Sequence, residues 1–307
     1  MAENSIFLLR NPAAGQRSSA FIATVAENLK ASGALLEVID TQYKGHAVTL
    51  AQEIATHSDT KLVIAAGGDG TIREVAAGLF GSDIPLGVIP AGTANVLARE
   101  LGYMKFGRAS VKRTTEIVLG DSSTPIYPFE VKYADETQLG FCWLSAGFDA
   151  EVLSRLNPYW KKQVGRTAFL PAVFRALAGE GARATFPWKI ESDSVENSSR
   201  MILANIRRYG GHFLLTKETN LSKQGLVCLN FPTGRASARI YELAKMLIMP
   251  IGKSTDARLL PGQVISIGNT QTPLQLDGDF LGYGPATVTP LTQPVILKAA
   301  AADKAKY

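Results

Sequence analysis

The feature that most constrains the fold is an alternation of two sequence periods along the first 120 residues. Short apolar runs predict strands at residues 6–10, 35–40, 61–66 and 85–89. Stretches with an apolar face at helical spacing predict helices at residues 18–32, 47–56, 72–79, 93–101 and 110–119. Strands that alternate with helices form βαβ units, in which helices cover both faces of a mostly parallel sheet. We therefore expect an N-terminal Rossmann-like α/β domain over residues 1–125.

The pattern changes after about residue 125. Short apolar or alternating runs are separated there by Gly, Asn, Ser and Pro clusters, at residues 126–133, 139–145, 188–191, 201–206, 226–231, 264–267 and 274–276. This pattern of short runs and turn-forming clusters predicts an antiparallel β-sandwich-like domain over residues 126–289, interrupted by helical stretches at 159–178 and 237–249. The C-terminal stretch 290–307 is expected to return to the first domain and complete it. The predicted fold class is thus α/β plus all-β.

Composition agrees with a globular chain of two domains, since 46% of the 307 residues are apolar and 19% are charged. Cys142 and Cys228 are far apart in apolar runs, which predicts buried free thiols and a reducing cytoplasm. The N-terminus lacks the basic and apolar regions of a signal peptide, and no apolar run is long enough to cross a membrane. We expect a cytoplasmic protein that at most binds peripherally to the inner face of the membrane.

The net charge of +5 arises in one segment. Residues 151–210 hold ten Lys or Arg and five Asp or Glu. This excess fits an anionic partner such as phosphate or a membrane surface, and it equally fits an ordinary solvated face. Zinc-finger spacing and aromatic-rich basic signatures are missing, so no nucleic-acid partner is expected. The sequence leaves the oligomeric state open, with a homodimer as one alternative.

Four glycine-containing turns follow the four predicted strands of the first domain, at residues 11–15, 41–46, 67–71 and 90–95. They lie at the carboxyl ends of the strands, where open α/β sheets bind ligands. Glycine lets backbone N–H groups approach a charged ligand, and helix N-termini follow several of the turns. One such turn is weak evidence, because tight αβ loops need glycine in any case. Four turns at one edge predict a site for a polyphosphate.

Asp69 lies among the glycines of the third turn. A carboxylate there would repel a phosphate unless it held a divalent cation or oriented a proton donor. We therefore expect Asp69 to be linked to Mg²⁺, directly or through water. The sequence does not assign a complete set of metal ligands.

The second domain offers further acids near predicted turns. Asp149 follows the run 145–148, where it is either a helix N-cap or a functional carboxylate. Asp277 and Asp279 flank Gly278, where the pattern fits a hairpin turn or a catalytic base. Phosphoryl transfer to a hydroxyl needs a group that accepts the departing proton. A carboxylate of the second domain that faces the nucleotide would meet this need.

Two other patterns are not functional sites. Residues 252–255 resemble the end of a P-loop, but Leu247 stands where the first P-loop glycine belongs and no strand precedes the segment. The histidines lie far apart without metal-ligand spacing, at His46, His57 and His212.

Several motifs together resemble a known family. GGDGT at 67–71 is similar to the signature of diacylglycerol kinases, sphingosine kinases and bacterial soluble lipid kinases, and more distantly of NAD kinases and phosphofructokinases. Six further stretches fit the lipid-kinase pattern in order, namely NPAAG at 11–15, TQYKGHA at 41–47, PAGTANVLAREL at 90–101, SAGFDAEV at 145–152, NIRRYGG at 205–211 and QLDGD at 275–279. The resemblance covers nearly the whole chain, and its later motifs separate lipid kinases from NAD kinases.

The resemblance implies ATP with Mg²⁺ as phosphate donor. It places Asp279 as general base and Asp149 as a supporting carboxylate. It also implies a nucleotide site made by Asn11, Thr41, Gly67, Gly68, Asp69, Gly70, Thr71, Gly92, Thr93 and Asn95. Three positions depart from the family pattern. Asp279 replaces a glutamate, Arg73 replaces an asparagine, and Gln224 replaces an acid that holds a structural Mg²⁺ in bacterial members.

These observations predict a lipid kinase that phosphorylates a hydroxyl of a diacylglycerol-like or related lipid at a membrane surface. The helical stretch 159–178 mixes aromatic and basic residues, which suits an anionic membrane interface or a core-packing helix with a solvated edge. Two alternatives stay open. One is a kinase for a soluble hydroxyl such as that of NAD or a polyol, and the other is a non-catalytic regulator that binds nucleotide or lipid.

Overall fold

A computed structural model describes residues 5–12, 16–103, 108–156, 184–191, 193–209, 213–216, 219, 221–232 and 257–301. The chain forms two compact units, the first made of residues 1–126 and 293–307 and the second of residues 127–292. Several predictions concern parts of the chain outside the described residues. They are the helical stretches at 159–178 and 237–249, the P-loop-like segment 252–255, residues 13–15, and residues 210–212.

The first unit contains a six-stranded sheet in the order β2-β1-β3-β4-β20-β5. Neighbouring strands from β2 to β20 run parallel, and β5 at the edge is antiparallel to β20. The inner strands are apolar along their length and buried, as a parallel sheet covered on both faces requires. The strands are β1 Ser5–Arg10, β2 Leu35–Asp40, β3 Thr60–Gly67, β4 Leu86–Pro90, β5 Ser123–Ile126 and β20 Val295–Lys298.

Five helices accompany this sheet, α1 Gln16–Ala31, α2 His46–Ala55, α3 Asp69–Gly78, α4 Val96–Glu100 and α5 Arg108–Leu119. The predicted apolar face of α1 is confirmed, since Phe21, Val25 and Leu29 are all buried. The helix predicted over residues 93–101 is shorter than expected. Asn95 adopts a left-handed conformation with φ of 49°, so α4 begins only after it.

The second unit contains two antiparallel six-stranded sheets, in the orders β10-β9-β16-β19-β6-β7 and β15-β14-β11-β8-β17-β18. A two-stranded ribbon, β12-β13, accompanies them. The first sheet consists of β6 Phe129–Tyr133, β7 Glu136–Gly140, β9 Phe186–Ile190, β10 Glu196–Ser198, β16 Ile265–Ile267 and β19 Ala286–Pro290. The second consists of β8 Trp143–Gly147, β11 Arg200–Ala204, β14 Leu226–Phe231, β15 Ala257–Leu260, β17 Pro273–Leu276 and β18 Asp279–Tyr283. The ribbon strands are β12 Arg208–Tyr209 and β13 Phe213–Leu214.

One core lies between these two sheets. Phe129, Val131 and Trp188 of the first sheet are buried in the same cluster as Leu144 and Leu203 of the second. Alternate residues of each strand supply this core, as expected when two sheets pack face to face. The predicted sandwich is therefore confirmed. One helix, α6 Phe148–Ser154, follows β8 and packs on β8, β17 and β18.

The predicted run 139–145 is not one strand. It divides into β7 and β8, with Phe141 and Cys142 between them. Both residues donate their backbone N–H groups to the carboxylate of Asp277, at 2.9 and 2.8 Å, and not to a neighbouring strand. The partner lies more than 130 residues away in the sequence, so the local apolar pattern gave no sign of the break.

Both cysteines are free and buried, which confirms the prediction of buried thiols. Burial raises the pKa of the Cys228 thiol to about 12. Within the residues that the structure describes, none of the helices combines the length and the apolar character that crossing a membrane requires.

Candidate active site

The predicted phosphate-binding turns of the first unit lie at one edge of its sheet. Since β1, β3 and β4 are adjacent and parallel, their carboxyl ends meet there. The backbone N–H of Asn11 donates to the carbonyl of Ala66 at 3.0 Å, and that of Ala91 donates to the carbonyl of Gly67 at 2.8 Å. The turns that follow these three strands are therefore joined by backbone hydrogen bonds.

The turn between β3 and α3 is tightly packed. The amide of Asn11 donates to the hydroxyl of Thr71 at 3.3 Å, which ties the first turn to the third. A Cβ atom on Gly67 would lie 2.5 Å from the same Thr71 hydroxyl, so no larger residue fits there. Gly68 caps α3 without a side chain, and Gly70 lies in the first helical turn. An N-terminus capped in this way suits an anion such as phosphate.

The turn after β4 packs against Gly68. A Cβ atom on Gly92 would lie 2.5 Å from the Cα of Gly68, so the two backbones approach each other as only glycine permits. The side chain of Asn95 closes this turn, because it accepts from the N–H of Gly92 and donates to its carbonyl, each at 2.8 Å. Asn95 is 1% exposed. In the structure it therefore shapes the turn, whereas Thr93 at the tip is exposed.

Asp69 joins the two turns. Its Oδ1 accepts hydrogen bonds from the backbone N–H groups of Val96 at 2.7 Å and Leu97 at 3.4 Å. The carboxylate thus caps the N-terminus of α4, where negative charge is favourable. The sequence gave no indication of this role, because the partners lie 27 and 28 residues further along the chain.

Thr41 lies apart from this group. It follows β2, which is separated from β3 by β1, and its N–H donates to the carbonyl of Arg10 at 2.9 Å. Beside it, Arg10 binds Asp40 through two hydrogen bonds of 2.6 and 2.7 Å. The bond from this guanidinium holds the pKa of the Asp40 carboxyl below its usual range. Of the predicted nucleotide residues, the structure brings together Asn11, Gly67, Gly68, Asp69, Gly70, Thr71, Gly92, Thr93 and Asn95.

The described residues suit a metal ion that would be bound partly by the phosphates of a nucleotide. No group of three or more His, Cys, Asp or Glu side chains gathers as a metal-binding cluster in the described part of the chain. Mg²⁺ in kinases is usually held by one or two carboxylates together with substrate phosphates, and not by a protein cage. Asp69 supplies a carboxylate among the phosphate-side turns, so the donor set suits such an ion.

In the second unit, Asp277 and Gly278 form a two-residue hairpin turn between β17 and β18. Both residues have positive φ, at 51° and 90°, as the favoured hairpin turns require. The hairpin alternative of the sequence is therefore confirmed. Asp277 is 8% exposed, and its carboxylate accepts from the backbone N–H groups of Phe141, Cys142 and Trp143 at 2.8–2.9 Å.

Asp279 follows this turn as the first residue of β18 and is half-buried. It pairs in register with Leu276, the last residue of β17. The three bonds to Asp277 and the short turn therefore fix the backbone on which the proposed base stands. The two acids of the motif have different surroundings, although a single residue separates them.

Asp149 is not the N-cap of α6, and this alternative was wrong. The cap is Gly147, whose φ of 84° and ψ of −133° exclude other residues, and Asp149 lies in the first helical turn. Its Oδ2 accepts from Nε of Arg200 at 2.9 Å, and the two side chains are 10% and 1% exposed. The Arg200 guanidinium also lies 4.5 Å from the ring centroid of Phe231. A buried cation thus faces this carboxylate.

Two positions that depart from the family pattern have ordinary surroundings. Gln224 donates to the carbonyl of Thr292 at 3.4 Å. Arg73 lies within α3 and is half-buried.

Comparisons with known proteins agree with this geometry. Residues 5–128 match the diacylglycerol kinase catalytic domain. A diacylglycerol kinase of Mycobacterium tuberculosis is 28% identical over 243 residues, which cover 76% of this chain and 75% of that protein. The mitochondrial acylglycerol kinase of Xenopus laevis is 31% identical over 170 residues, which cover 51% of this chain and only 38% of that protein. The chain thus spans well under half of the length of this longer relative.

The fold is also that of solved structures. A crystal structure of a diacylglycerol kinase from Bacillus anthracis superposes with a TM-score of 0.72 at 19% identity, and the match covers 98% of both chains. This likeness extends over both units and concerns the fold. Residues 5–128 of the chain are thus similar to the diacylglycerol kinase catalytic domain.

Proposed function

We propose that the protein is an ATP- and Mg²⁺-dependent lipid kinase that phosphorylates a hydroxyl of a diacylglycerol-like or related lipid. The observation that carries this proposal is the close packing of the turns after β3 and β4, where Gly68 and Gly92 approach each other beside the N-terminus of α3. Such a glycine-lined helix N-terminus suits a polyphosphate. The match of residues 5–128 to the diacylglycerol kinase catalytic domain supports the choice of ATP and of phosphoryl transfer.

On the donor side, the phosphates would contact Gly67 to Thr71, Gly92 and Thr93, with Asn11 and Thr41 nearer to the rest of the nucleotide. Asp69 holds the two phosphate-side turns together through the N-terminus of α4. Mg²⁺, when bound, would neutralise charge on the phosphates.

On the acceptor side, Asp279 would accept the proton of the lipid hydroxyl as the oxygen attacks the γ-phosphate. Asp149, which is paired with the buried guanidinium of Arg200, would act as a supporting carboxylate. The named relatives act on a diacylglycerol and on an acylglycerol, and both names describe lipids with a free hydroxyl beside long chains. We propose this class of lipids as the substrate of the present protein, and we do not assign one particular lipid.

The lipid substrate also implies a place of action. We propose that the protein works in the cytoplasm and meets its substrate at the inner face of the membrane. The excess of Lys and Arg over residues 151–210 supports attraction to an anionic surface. Binding to vesicles that contain phosphatidylglycerol, measured by co-sedimentation at low and high salt, would test this part of the proposal.

The proposed function is tested by turnover of γ-labelled ATP over a panel of hydroxyl acceptors. The panel contains diacylglycerol, phosphatidylglycerol, a sphingoid base, an isoprenoid alcohol, NAD and a polyol, each with and without Mg²⁺. We expect Mg²⁺-dependent labelling of a lipid. Labelling of NAD or the polyol alone would identify a kinase of soluble substrates, and ATP binding without any labelling would identify a non-catalytic regulator.

The role of Asp279 is tested by substitution. Asp279→Asn should lower kcat by roughly two to four orders of magnitude and leave ATP binding unchanged, since general bases contribute about that much. Asp279→Glu should retain activity, because it restores the longer side chain that the family usually has. Asp135→Asn, in the exposed turn between β6 and β7, is the matched control. Full activity of Asp279→Asn would rule out the base assignment.

A further inference from the structure

The second unit contains buried polar side chains near Asp149 and the hairpin turn. Ser145 of β8, Arg200 of β11 and Gln275 of β17 are each at most 1% exposed. Their strands are neighbours in one sheet, and Ser145 lies directly opposite Gln275. The residues before and after Ser145 belong to the sandwich core, so these polar side chains lie on the opposite face of the sheet. Buried polar groups of this kind need partners.

These side chains form one chain of hydrogen bonds. The N–H of Gly278 donates to Oε1 of Gln275 at 2.8 Å, and Nε2 of Gln275 donates to the Ser145 hydroxyl at 2.7 Å. Nε2 of Gln275 also donates to the hydroxyl of Tyr209 at 3.5 Å, and that hydroxyl lies near Ser145 and the carboxylate of Asp149, which both influence its pKa. The path therefore begins at the residue before Asp279 and ends at Asp149.

The bonds of this path point in one direction. Gln275 accepts from Gly278 and donates to Ser145. Desolvation of the Tyr209 hydroxyl, followed by the nearby charge of Asp149, raises the pKa of Tyr209 well above its usual range. Tyr209 thus stays protonated and can donate to the carboxylate. A chain in which each group both accepts and donates is polarised along its length, so each bond strengthens its neighbours.

Other contacts hold the two ends of the path. The ring of Tyr209 packs on Trp143 with centroids 4.9 Å apart, and Arg200 fixes the far side of Asp149. At the other end, Asp277 anchors the hairpin turn through three backbone N–H groups. Gly278 is the remaining residue of that turn, and its anchor is Gln275. The position of the Asp279 backbone consequently depends on Gln275.

We propose that Gln275 and Tyr209 are positioning residues that couple Asp149 to the hairpin turn carrying Asp279, so that the two carboxylates are set as one unit. The catalytic role of this coupling rests on the proposed function, because there Asp279 accepts the proton of the lipid hydroxyl. The coupling itself is a property of the second unit and can be measured without turnover. Gln275 contacts Tyr209 directly, and its amide also donates to Ser145.

The first test removes single links of the path. Gln275→Met keeps the length of the side chain and removes its hydrogen bonds with Gly278, Ser145 and Tyr209. Tyr209→Phe removes the hydroxyl that lies near Asp149. Each variant should lower kcat with the lipid roughly tenfold and leave KM for ATP within about twofold, since a lost hydrogen bond that orients a reacting group is worth on the order of that factor. Gln138→Met on β7, outside the path, is the matched control.

The double variant shows whether the two residues act together. If they belong to one path, Gln275→Met with Tyr209→Phe should lower kcat no further than the worse single variant. Losses that multiply, or an unchanged kcat in both single variants, would overturn the proposal. Tyr209→Phe deletes a single oxygen atom, so this variant keeps the test open should Gln275→Met fail to fold.

A second readout does not depend on activity. Hydrogen exchange of the Gly278 amide should speed up at least tenfold in Gln275→Met and stay at the wild-type rate in the control. The ¹³C shift of the Asp149 carboxyl should move in both single variants. An unprotected Gly278 amide in the wild type, or an unmoved Asp149 shift, would refute the coupling. Absence of any lipid turnover in the wild type would refute the proposed function alone, because these spectra would still report on the path.

Discussion

At the scale of single residues, neighbouring acids acquire different roles from their surroundings. Asp277 is 8% exposed and its carboxylate accepts three backbone N–H groups, so it serves the structure. Asp279 stands two positions later, half-buried at the start of β18. Hydrogen bonds from N–H donors to a carboxylate are among the stronger ones, which makes the first acid a fixed anchor for the second.

Asp277→Asn should therefore destabilise the protein although it changes the shape little. Asparagine tolerates the left-handed backbone conformation. It lacks the negative charge of the carboxylate, however, and its amide N–H groups would face backbone N–H groups that are themselves donors. We expect a loss of about 2–3 kcal/mol in the free energy of unfolding, measured with urea. Asp135→Asn, whose side chain is exposed, should stay within about 0.5 kcal/mol. Equal stability of the two variants would contradict the anchoring role.

At the scale of elements, the predicted phosphate-binding site depends on how closely two strand-to-helix turns approach each other. The turns after β3 and β4 meet at Gly68 and Gly92, and the carboxylate of Asp69 links the first of them to α4. Neither turn could hold this geometry with larger residues at these positions. The glycines allow the turns to pack, and in the proposed site they would also expose the backbone to a ligand.

Gly92→Ala should separate these turns. Its Cβ would lie 2.5 Å from the Cα of Gly68, which is backbone and cannot rotate away. We expect a loss of about 1–3 kcal/mol in stability and at least tenfold weaker ATP binding, measured by thermal unfolding and calorimetry. Gly87→Ala on β4 is the control, because its nearest contacts would be at an ordinary 3.4 Å. Wild-type affinity for ATP in Gly92→Ala would argue against a phosphate site at this turn.

At the scale of the whole molecule, the first unit is built from both ends of the chain. β20 lies between β4 and β5, although more than 160 residues separate it from β5 in the sequence. Its Val295 and Leu297 are fully buried. The second unit is therefore an insertion within the first, and the sheet of the first unit closes only when the last strand has joined it.

Leu297→Ala tests this dependence. Loss of a fully buried leucine should cost about 2–4 kcal/mol and should speed hydrogen exchange in β4 and β5, the strands beside it. Leu35→Ala on β2, where the side chain is 54% exposed, should have little effect. Unchanged exchange in β4 and β5 of Leu297→Ala would show that the first unit is stable without this packing.

Several features of the fold are encoded by spacing within a few residues of the sequence. The alternation of strands and helices, the apolar face of α1, the sandwich of the second unit and the Asp277–Gly278 hairpin all follow from patterns within a few residues. The glycine turns at one edge of the sheet follow as well, because parallel strands place their carboxyl ends together. The motifs in the sequence also carried the resemblance to diacylglycerol kinases, whose catalytic domain residues 5–128 match.

The tertiary structure alone decided what the acids and amides do. Asp69 caps α4, Asp277 holds the start of β8, and Gln275 reaches Ser145 across the sheet. The last two contacts join residues separated by 134 and 130 positions. A hydrogen bond depends on distance and direction in space, and a carboxylate in a turn has the same local sequence whether it anchors the backbone or accepts a proton. Its surroundings, which the fold supplies, make the difference.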